Sequence, residues 1–442
     1  MRRLSFAIAL TLGSALPVVG QPLGSSQMIS APGPETTCVL HAPDADDVYH
    51  GVNELRQPTA KHAGGGATFN VTYTGFTPQA EAAFQFAVDI WAAHLESDVP
   101  INVEASFSPL GTNVLGSARA AFVRGNFANA PVFNTWYGDP LADALAGADL
   151  GGGGTDIVAQ FSSNFSGWYF GTDGNTPANR VDFVSVVLHE LGHGLGFFGS
   201  GNVDNGTGTD ECDGTSGVGC YGLGNFPVIF DRFIEDQPGN SLLNTTLYPN
   251  PSTALGMLLR SQDLFLDAPA SFAVYGDERP PIWAPAQWEA GSSFSHWDEG
   301  EIPAGDVNAL MTPQLASGES FQDPGPLTCA LFRDIGWELG PACAALVVDD
   351  EDGPVATTGL ALEAAGPNPF RSATAFRVRI GEPQPLRATL LDALGREVAV
   401  LHDGAASGTV TLRIAGDLAP GVYTVVAETG EDRSLASVVR VR

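Results

Sequence analysis

The residues best suited to chemistry lie between Val181 and Phe197, where the chain reads Val-Asp-Phe-Val-Ser-Val-Val-Leu-His-Glu-Leu-Gly-His-Gly-Leu-Gly-Phe. His189 and His193 are four apart, so on a helix they share one face and can each turn an imidazole nitrogen toward a single metal ion. Zinc takes nitrogen ligands at about 2.0–2.1 Å, a reach that two imidazoles one turn apart span without strain. Glu190, beside the first of them, reaches the water such an ion activates rather than the ion. There it can take a proton during attack on a carbonyl and pass it to a leaving amine. A catalytic zinc uses three protein ligands and keeps one position open. His296 is the only histidine between His193 and His402, which favours it as the third ligand across 296 − 193 = 103 residues. Glu211, at 211 − 193 = 18 residues, is the acidic alternative. Shortly after His296 comes Asn-Ala-Leu-Met-Thr-Pro (308–313), in which Met311 offers a soft apolar floor beneath the imidazoles.

These side chains need rigid supports. Asp182 is placed to cap the start of the helix, and Gly196 marks its end and a sharp turn away. Upstream, residues 67–73 alternate Phe69, Val71 and Tyr73 with polar positions, as a strand does. A helix follows, with Thr77 as cap, Pro78 in the first turn, and Ala80, Phe84, Ala87, Trp91 and Leu95 at helical spacing. Strands are expected over 100–107 and 156–161. The stretch 156–164 is a candidate for the sheet edge that pairs with an extended substrate, or equally for a core strand. From Gly199 to Phe294 the chain should be mostly loop, with short helices at 228–234 and 254–260. Beyond an acidic run at 349–354, short β-type segments separated by Gly and Pro predict a small all-β sandwich. The fold class expected is α+β, followed by that β module.

Composition narrows the function. The 442 residues hold 20 Lys plus Arg against 50 Asp plus Glu, a net charge of −30. Such a surface repels phosphate backbones and excludes nucleic acid as a main partner. Charged residues at 16% and 53 glycines fit a secreted, loop-rich chain. Arg2 and Arg3 precede an apolar stretch over 4–16 and small residues to Gly20, the pattern of an export signal. That run is shorter than the roughly 20 residues of a membrane span, so no transmembrane anchor is expected. Five cysteines in an exported chain point to an oxidising compartment and leave one over. The sequence-near pairs are Cys212 with Cys220 and Cys329 with Cys343, which would leave Cys38; other pairings stay open. Asp204, Asp210 and Asp213, set among glycines, are candidate calcium ligands, although they do not follow the twelve-residue calcium loop and a solvated acidic loop is the simpler reading.

His-Glu-Leu-Gly-His-Gly-Leu-Gly-Phe (189–197), a long insertion, Ser-His-Trp-Asp-Glu (295–299) and Leu-Met-Thr-Pro (310–313) together resemble the leishmanolysin-type metzincins. The position six residues past the second histidine, where compact metzincins carry their third, is Gly199 here. The resemblance implies zinc ligands at His189, His193 and His296, Glu190 as general base and Met311 as the Met-turn residue. It also implies that 329–337 forms the closing helix and turn. Related zinc peptidases are held inactive by a pro-segment thiolate, and the surroundings of Cys38 match such a switch only faintly. Toward the end, Gly-Pro-Asn-Pro-Phe (366–370), Leu-Asp-Ala-Leu-Gly-Arg-Glu-Val (391–398) and Leu-Ala-Pro-Gly-Val-Tyr (418–423) resemble the type IX secretion sorting domain. That likeness implies passage through the periplasm, export by the type IX machinery and removal of the module; a fibronectin-like binding domain is the alternative. The expected organisation is a signal peptide (1–20), an arm or pro-segment (21–66), a zinc metallopeptidase domain (67–345), an acidic linker (346–358) and a β module (359–442). The chain is then expected to be a secreted or cell-surface zinc endopeptidase acting on protein or peptide substrates. A non-catalytic surface or adhesive protein with a structural metal site is the competing expectation.

Overall fold

The computed structural model describes residues 28–34, 40–43, 47–51, 66–206, 212–224, 226–347, 360–364, 370, 373–392, 396–415, 418–419, 421–430 and 433–440. Two compact units divide the chain between Val347 and Val348. The first is organised around a five-stranded sheet of β1 (Leu40–His41), β2 (Phe69–Thr74), β3 (Ile101–Ser108), β4 (Val114–Ala120) and β5 (Ile157–Ser162), in the spatial order β1-β4-β5-β3-β2. Strands β2, β3 and β5 run parallel, β4 runs antiparallel to β5, and β1 lies antiparallel on the outside of β4. Strict alternation in β3 sends Ile101, Val103, Ala105 and Phe107 inward.

Helix α1 (Pro78–His94) starts where expected, with Thr77 Oγ1 accepting the Ala80 N–H at 3.2 Å. Its buried stripe, including Ala83, Phe84, Ala87 and Trp91, packs on the sheet and on the helix that carries the histidine pair. Helix α2 (Asp139–Ala146) was not foreseen. Helix α3 (Phe183–Leu195) is buried along its whole length, so it is apolar all round instead of amphipathic. Two indoles clamp it: Trp91 Nε1 donates to Leu188 O (3.0 Å) and Trp337 Nε1 to Leu195 O (2.9 Å).

The segment from Gly199 to Phe294 is loop-rich, with a 3-10 turn at Phe230–Phe233 and helices at Thr253–Leu258 and Pro269–Val274. It is nonetheless part of the main core, through Phe230, Leu255, Leu259, Leu264 and Phe294. Asp231 organises one of its corners by accepting the Ser200 and Val228 N–H groups at 2.9 and 3.0 Å. Disulfides join Cys212 to Cys220 and Cys329 to Cys343. Cys38 lies outside the described residues, as do residues 1–20 and the acidic run 349–354.

The second unit is all-β: β6 (Leu360–Ala364), β7 (Ala373–Asp392), β8 (Glu397–Ala415), β9 (Gly421–Glu428) and β10 (Arg433–Arg440). Its strands are longer than the short segments expected. All five belong to one antiparallel sheet, because β7 is long enough to pair with β6 near its start, β9 near its end and β8 along both parts. A register irregularity between Ile380 and Gln384 interrupts that long ladder. Phe376, Val378, Leu386 and Leu390 from both parts of β7 share one core with Phe370, Leu412 and Val425. The short pieces read from the sequence are segments of continuous strands, since Gly and Pro within β7 and β8 do not end them. No helix among the described residues is long and apolar enough to cross a membrane.

Candidate metal centre

Helix α3 begins with Asp182 as its cap, which accepts the Ser185 N–H at 3.0 Å and the Ser185 hydroxyl at 2.6 Å. It ends at Gly196, whose φ of 129° is open to glycine and strained for other residues. Gly192 sits inside the helix for a different reason. A Cβ at this position would lie 2.8 Å from Met311 Sδ, so only a bare α-carbon lets the Met311 side chain seat against the helix. Met311 itself closes a 3-10 turn, Ala309–Met311, and is fully buried.

His189, His193 and His296 converge. Their Nε2 atoms are separated by 3.1 Å (His189–His193), 3.2 Å (His193–His296) and 3.3 Å (His189–His296), and all three rings are buried. Each Nδ1 is held by a backbone carbonyl: Leu310 O for His189 (2.7 Å), Phe197 O for His193 (2.6 Å) and Ser292 O for His296 (2.6 Å). A carbonyl only accepts, so each ring donates from Nδ1 and presents a lone pair at Nε2. Three lone pairs within 3.3 Å cannot hydrogen-bond one another, and an arrangement of this kind is able to hold a metal ion between them. An ion about 2.0–2.1 Å from each nitrogen would see N–M–N angles of roughly 100–110°, close to tetrahedral. Burial lowers all three imidazoles: His189 to about 4, His296 to about 3 with help from neighbouring His189, and His193 well below its ordinary value. They are therefore neutral near pH 7, the form in which imidazole ligates a metal.

Glu190 is fully buried beside them. Its Oε2 accepts the Ala118 N–H of β4 at 2.8 Å, while Oε1 is buried with no hydrogen-bond partner. Burial pushes this carboxyl up to about 8, against the opposing hydrogen bonds from the Ala118 and Leu40 backbones. The three imidazoles are a group able to hold a metal ion, and Glu190, next in sequence to His189, keeps one buried carboxylate oxygen without a hydrogen-bond donor.

Other expected residues fall elsewhere. Glu211 and Asp210 lie outside the described residues. Asp204 turns its carboxylate to the loop amides of Cys212, Asp213 and Gly214 (2.7–3.0 Å), and Asp213 accepts the Thr215 N–H at 2.8 Å. These two acids shape the loop closed by the Cys212–Cys220 disulfide. The stretch 156–164 is not an edge: β5 is paired on both sides, by β3 and β4. The sheet strand beside Glu190 is β4, which the sequence reading passed over.

A second group was missed altogether. Asp139, Asp143 and Asp156 bring carboxylate oxygens within 4.8 Å of one another, all buried, and are a second set able to hold a metal ion. Arg124 is their counter-charge, bidentate to Asp139 at 2.6 and 3.1 Å. Burial raises Asp143 to about 7 and Asp156 to about 6, with the neighbouring carboxylates adding to both. The spacing of Asp139 and Asp143, one helical turn, was the available signal.

A family model described as SPBPB7E8-like matches residues 153–207, a stretch that contains β5 and all of α3. No curated protein matches the chain. Among solved structures, the Faecalibacterium prausnitzii beta-glucuronidase is 25% identical over 18% of this chain and 14% of that chain, with a TM-score of 0.14. The overlap therefore spans 14% of that enzyme's length, too little for any inference about fold or activity.

Proposed function

We propose that this chain is a zinc-dependent endopeptidase of the metzincin type, with His189, His193 and His296 as metal ligands and Glu190 as general base. The observation that carries the reading is the triple lone-pair convergence, each ring locked through Nδ1 to a carbonyl and turned inward at Nε2. Zinc in that position would act as a Lewis acid toward a peptide carbonyl and make an attacking water acidic enough to ionise near neutral pH. The protein's part is then positioning and proton handling. The three Nδ1–carbonyl bonds fix ring orientation, and Met311 packs beneath α3 without ligating. Glu190, anchored through Oε2 and with Oε1 available, accepts the proton of the attacking water and returns it to the leaving amine. Chemical likeness at 366–370, 391–398 and 418–423 further supports export through a type IX route to the exterior or cell surface, and the two disulfides suit that compartment.

The test uses Glu190→Ala in the full chain. Zinc should bind stoichiometrically, while hydrolysis of an unfolded protein such as casein should fall by at least about 100-fold, in keeping with loss of a general base. Undiminished hydrolysis would remove Glu190 from the reaction. A wild-type protein that binds zinc but cleaves nothing would favour the structural-site alternative.

A further inference from the structure

A cavity of about 620 Å³ opens within the long segment between His193 and His296, and none of the three clustered histidines lines it. Sites for small ligands commonly have volumes of roughly 300–1,000 Å³. Its walls are well braced. Trp136 donates its backbone N–H to Pro227 O at 2.9 Å and its indole Nε1–H to Leu223 O at 2.7 Å. Asn250 makes a two-way bond with Tyr221, accepting its N–H at 3.1 Å and donating to its carbonyl at 2.8 Å. The Cys212–Cys220 disulfide forms a further part of the wall.

The charge on this wall runs against the rest of the molecule. The chain carries −30 overall, yet among the described residues no Asp or Glu lines the cavity and Arg232 does. Arg232 is held in place, its Nε donating to Thr135 Oγ1 at 2.7 Å and its Nη2 to Asn134 O at 3.3 Å. Both partners are uncharged. The carboxylate of neighbouring Asp231 is committed elsewhere, buried and accepting the Ser200 and Val228 N–H groups at 2.9 and 3.0 Å. A guanidinium has five N–H donors, and these two bonds leave both hydrogens on Nη1 without an acceptor among the described residues.

A fixed guanidinium in a wall shared with Tyr221, Phe226 and Leu243 suits an anion that carries an apolar body. One unpaired guanidinium matches one unit of negative charge. The −30 field of the whole chain opposes a dianion such as phosphate more strongly than a carboxylate. We infer that this cavity binds a carboxylate of a peptide, with Arg232 as the fork that holds the anion and the Tyr221–Phe226–Leu243 wall receiving an adjoining apolar side chain. A C-terminal carboxylate and an Asp or Glu side chain offer the same chemistry to the fork. The site goes beyond the peptidase reading and does not depend on it. Where that reading holds, the cavity supplies a grip on acidic substrates that does not involve the three histidines.

The test titrates three ligands calorimetrically into the full chain carrying Glu190→Ala, so that none is consumed. They are acetyl-Gln-Phe with a free C-terminal carboxylate, acetyl-Glu-Phe-amide with a side-chain carboxylate, and the neutral acetyl-Gln-Phe-amide. At least one acidic ligand should bind at least about tenfold more tightly than the neutral one, and which of them does so identifies the source of the carboxylate. Adding Arg232→Ala should erase that preference. So should Thr245→Glu, which leaves both Arg232 anchors intact and sets a competing carboxylate on an exposed residue of the cavity wall. Equal binding of all three ligands would overturn the inference, as would inorganic phosphate binding more tightly than either acid. A preference that survives in both variants would place the carboxylate elsewhere and also overturn it. A wild-type chain that cleaves no casein would count against the peptidase reading alone, and these titrations would still decide the cavity.

Discussion

Gly192→Ala isolates the link between the histidine helix and the Met311 turn. An added methyl carbon would stand 2.8 Å from Met311 Sδ, 3.1 Å from Met311 Cε and 3.5 Å from Trp91 Cζ2. Carbon contacts are optimal near 3.5–4.0 Å, so the thioether must retreat by roughly 0.7 Å. It is fully buried, and the strain passes to the turn that carries it. Overpacking of this kind costs about 1–3 kcal/mol, offset by about 1 kcal/mol from replacing a helical glycine with alanine. The net loss of fold stability should thus be small, about 0–2 kcal/mol. Metal binding should suffer more, because the turn holds two of the rings: Leu310 O anchors His189, and Met311 O accepts the Trp297 N–H next to His296. Displacing such supports typically weakens a metal by about 10- to 100-fold. The assay is zinc competition against a chromophoric chelator, alongside urea unfolding of the metal-free chain. Adding Met311→Ala removes the clashing atoms, so the double variant should lose less affinity than the two single losses combined, by about 1 kcal/mol or more. A Gly192→Ala protein that binds zinc within twofold of wild type would refute the idea that this glycine exists to seat Met311.

His296→Ala should abolish stoichiometric zinc by elemental analysis, whereas His94→Ala, a buried histidine bonded to Ile90 O and not part of the cluster, should retain it. Arg124→Ala leaves Asp139 buried without its bidentate partner, and urea unfolding should report a loss of about 3–5 kcal/mol; a change below 1 kcal/mol would show the ion pair to be dispensable. The acidic trio also sets a pH dependence. Asp143 and Asp156 are raised from 3.8 to about 7 and about 6, so the folded chain holds protons that the unfolded chain has released. Stability should therefore fall as pH rises between about 4 and 7, and Asp143→Asn should flatten that slope by an amount on the order of 2 kcal/mol across the window in metal-free protein, measured by urea unfolding at several pH values.

What could be read from the sequence was local chemistry. His189, Glu190 and His193 stand out because helical spacing alone puts two imidazoles on one face, and the cap at Asp182 and stop at Gly196 bracket that helix. His296 emerged by elimination among few histidines, since nothing in its own neighbourhood encodes a position beside α3. Strands β3 and β5 were expected, though not their pairing, but β4 was not: Val-Leu-Gly-Ser-Ala-Arg-Ala is weakly apolar, and its partners lie far away in sequence. The stretch 21–66 was read only as an arm or pro-segment, because the pairing of Leu40–His41 depends on an edge contributed by residues more than seventy positions later. The acidic trio was missed for the same reason, Asp156 reaching Asp139 and Asp143 only through tertiary packing. In the second unit, turn residues suggested breaks that the continuous ladder of β7 and β8 overrides.

The distance in sequence between His193 and His296 carries a thermodynamic consequence. An ion gripping both ends of a 103-residue span acts as a removable cross-link, and closing a loop of that size withdraws from the denatured ensemble the equivalent of roughly 4–5 kcal/mol. Occupancy of the centre would then report on completion of the entire insertion as well as on readiness for chemistry. A chelator would act on this molecule as a reductant acts on a long-range disulfide, loosening the insertion before the sheet.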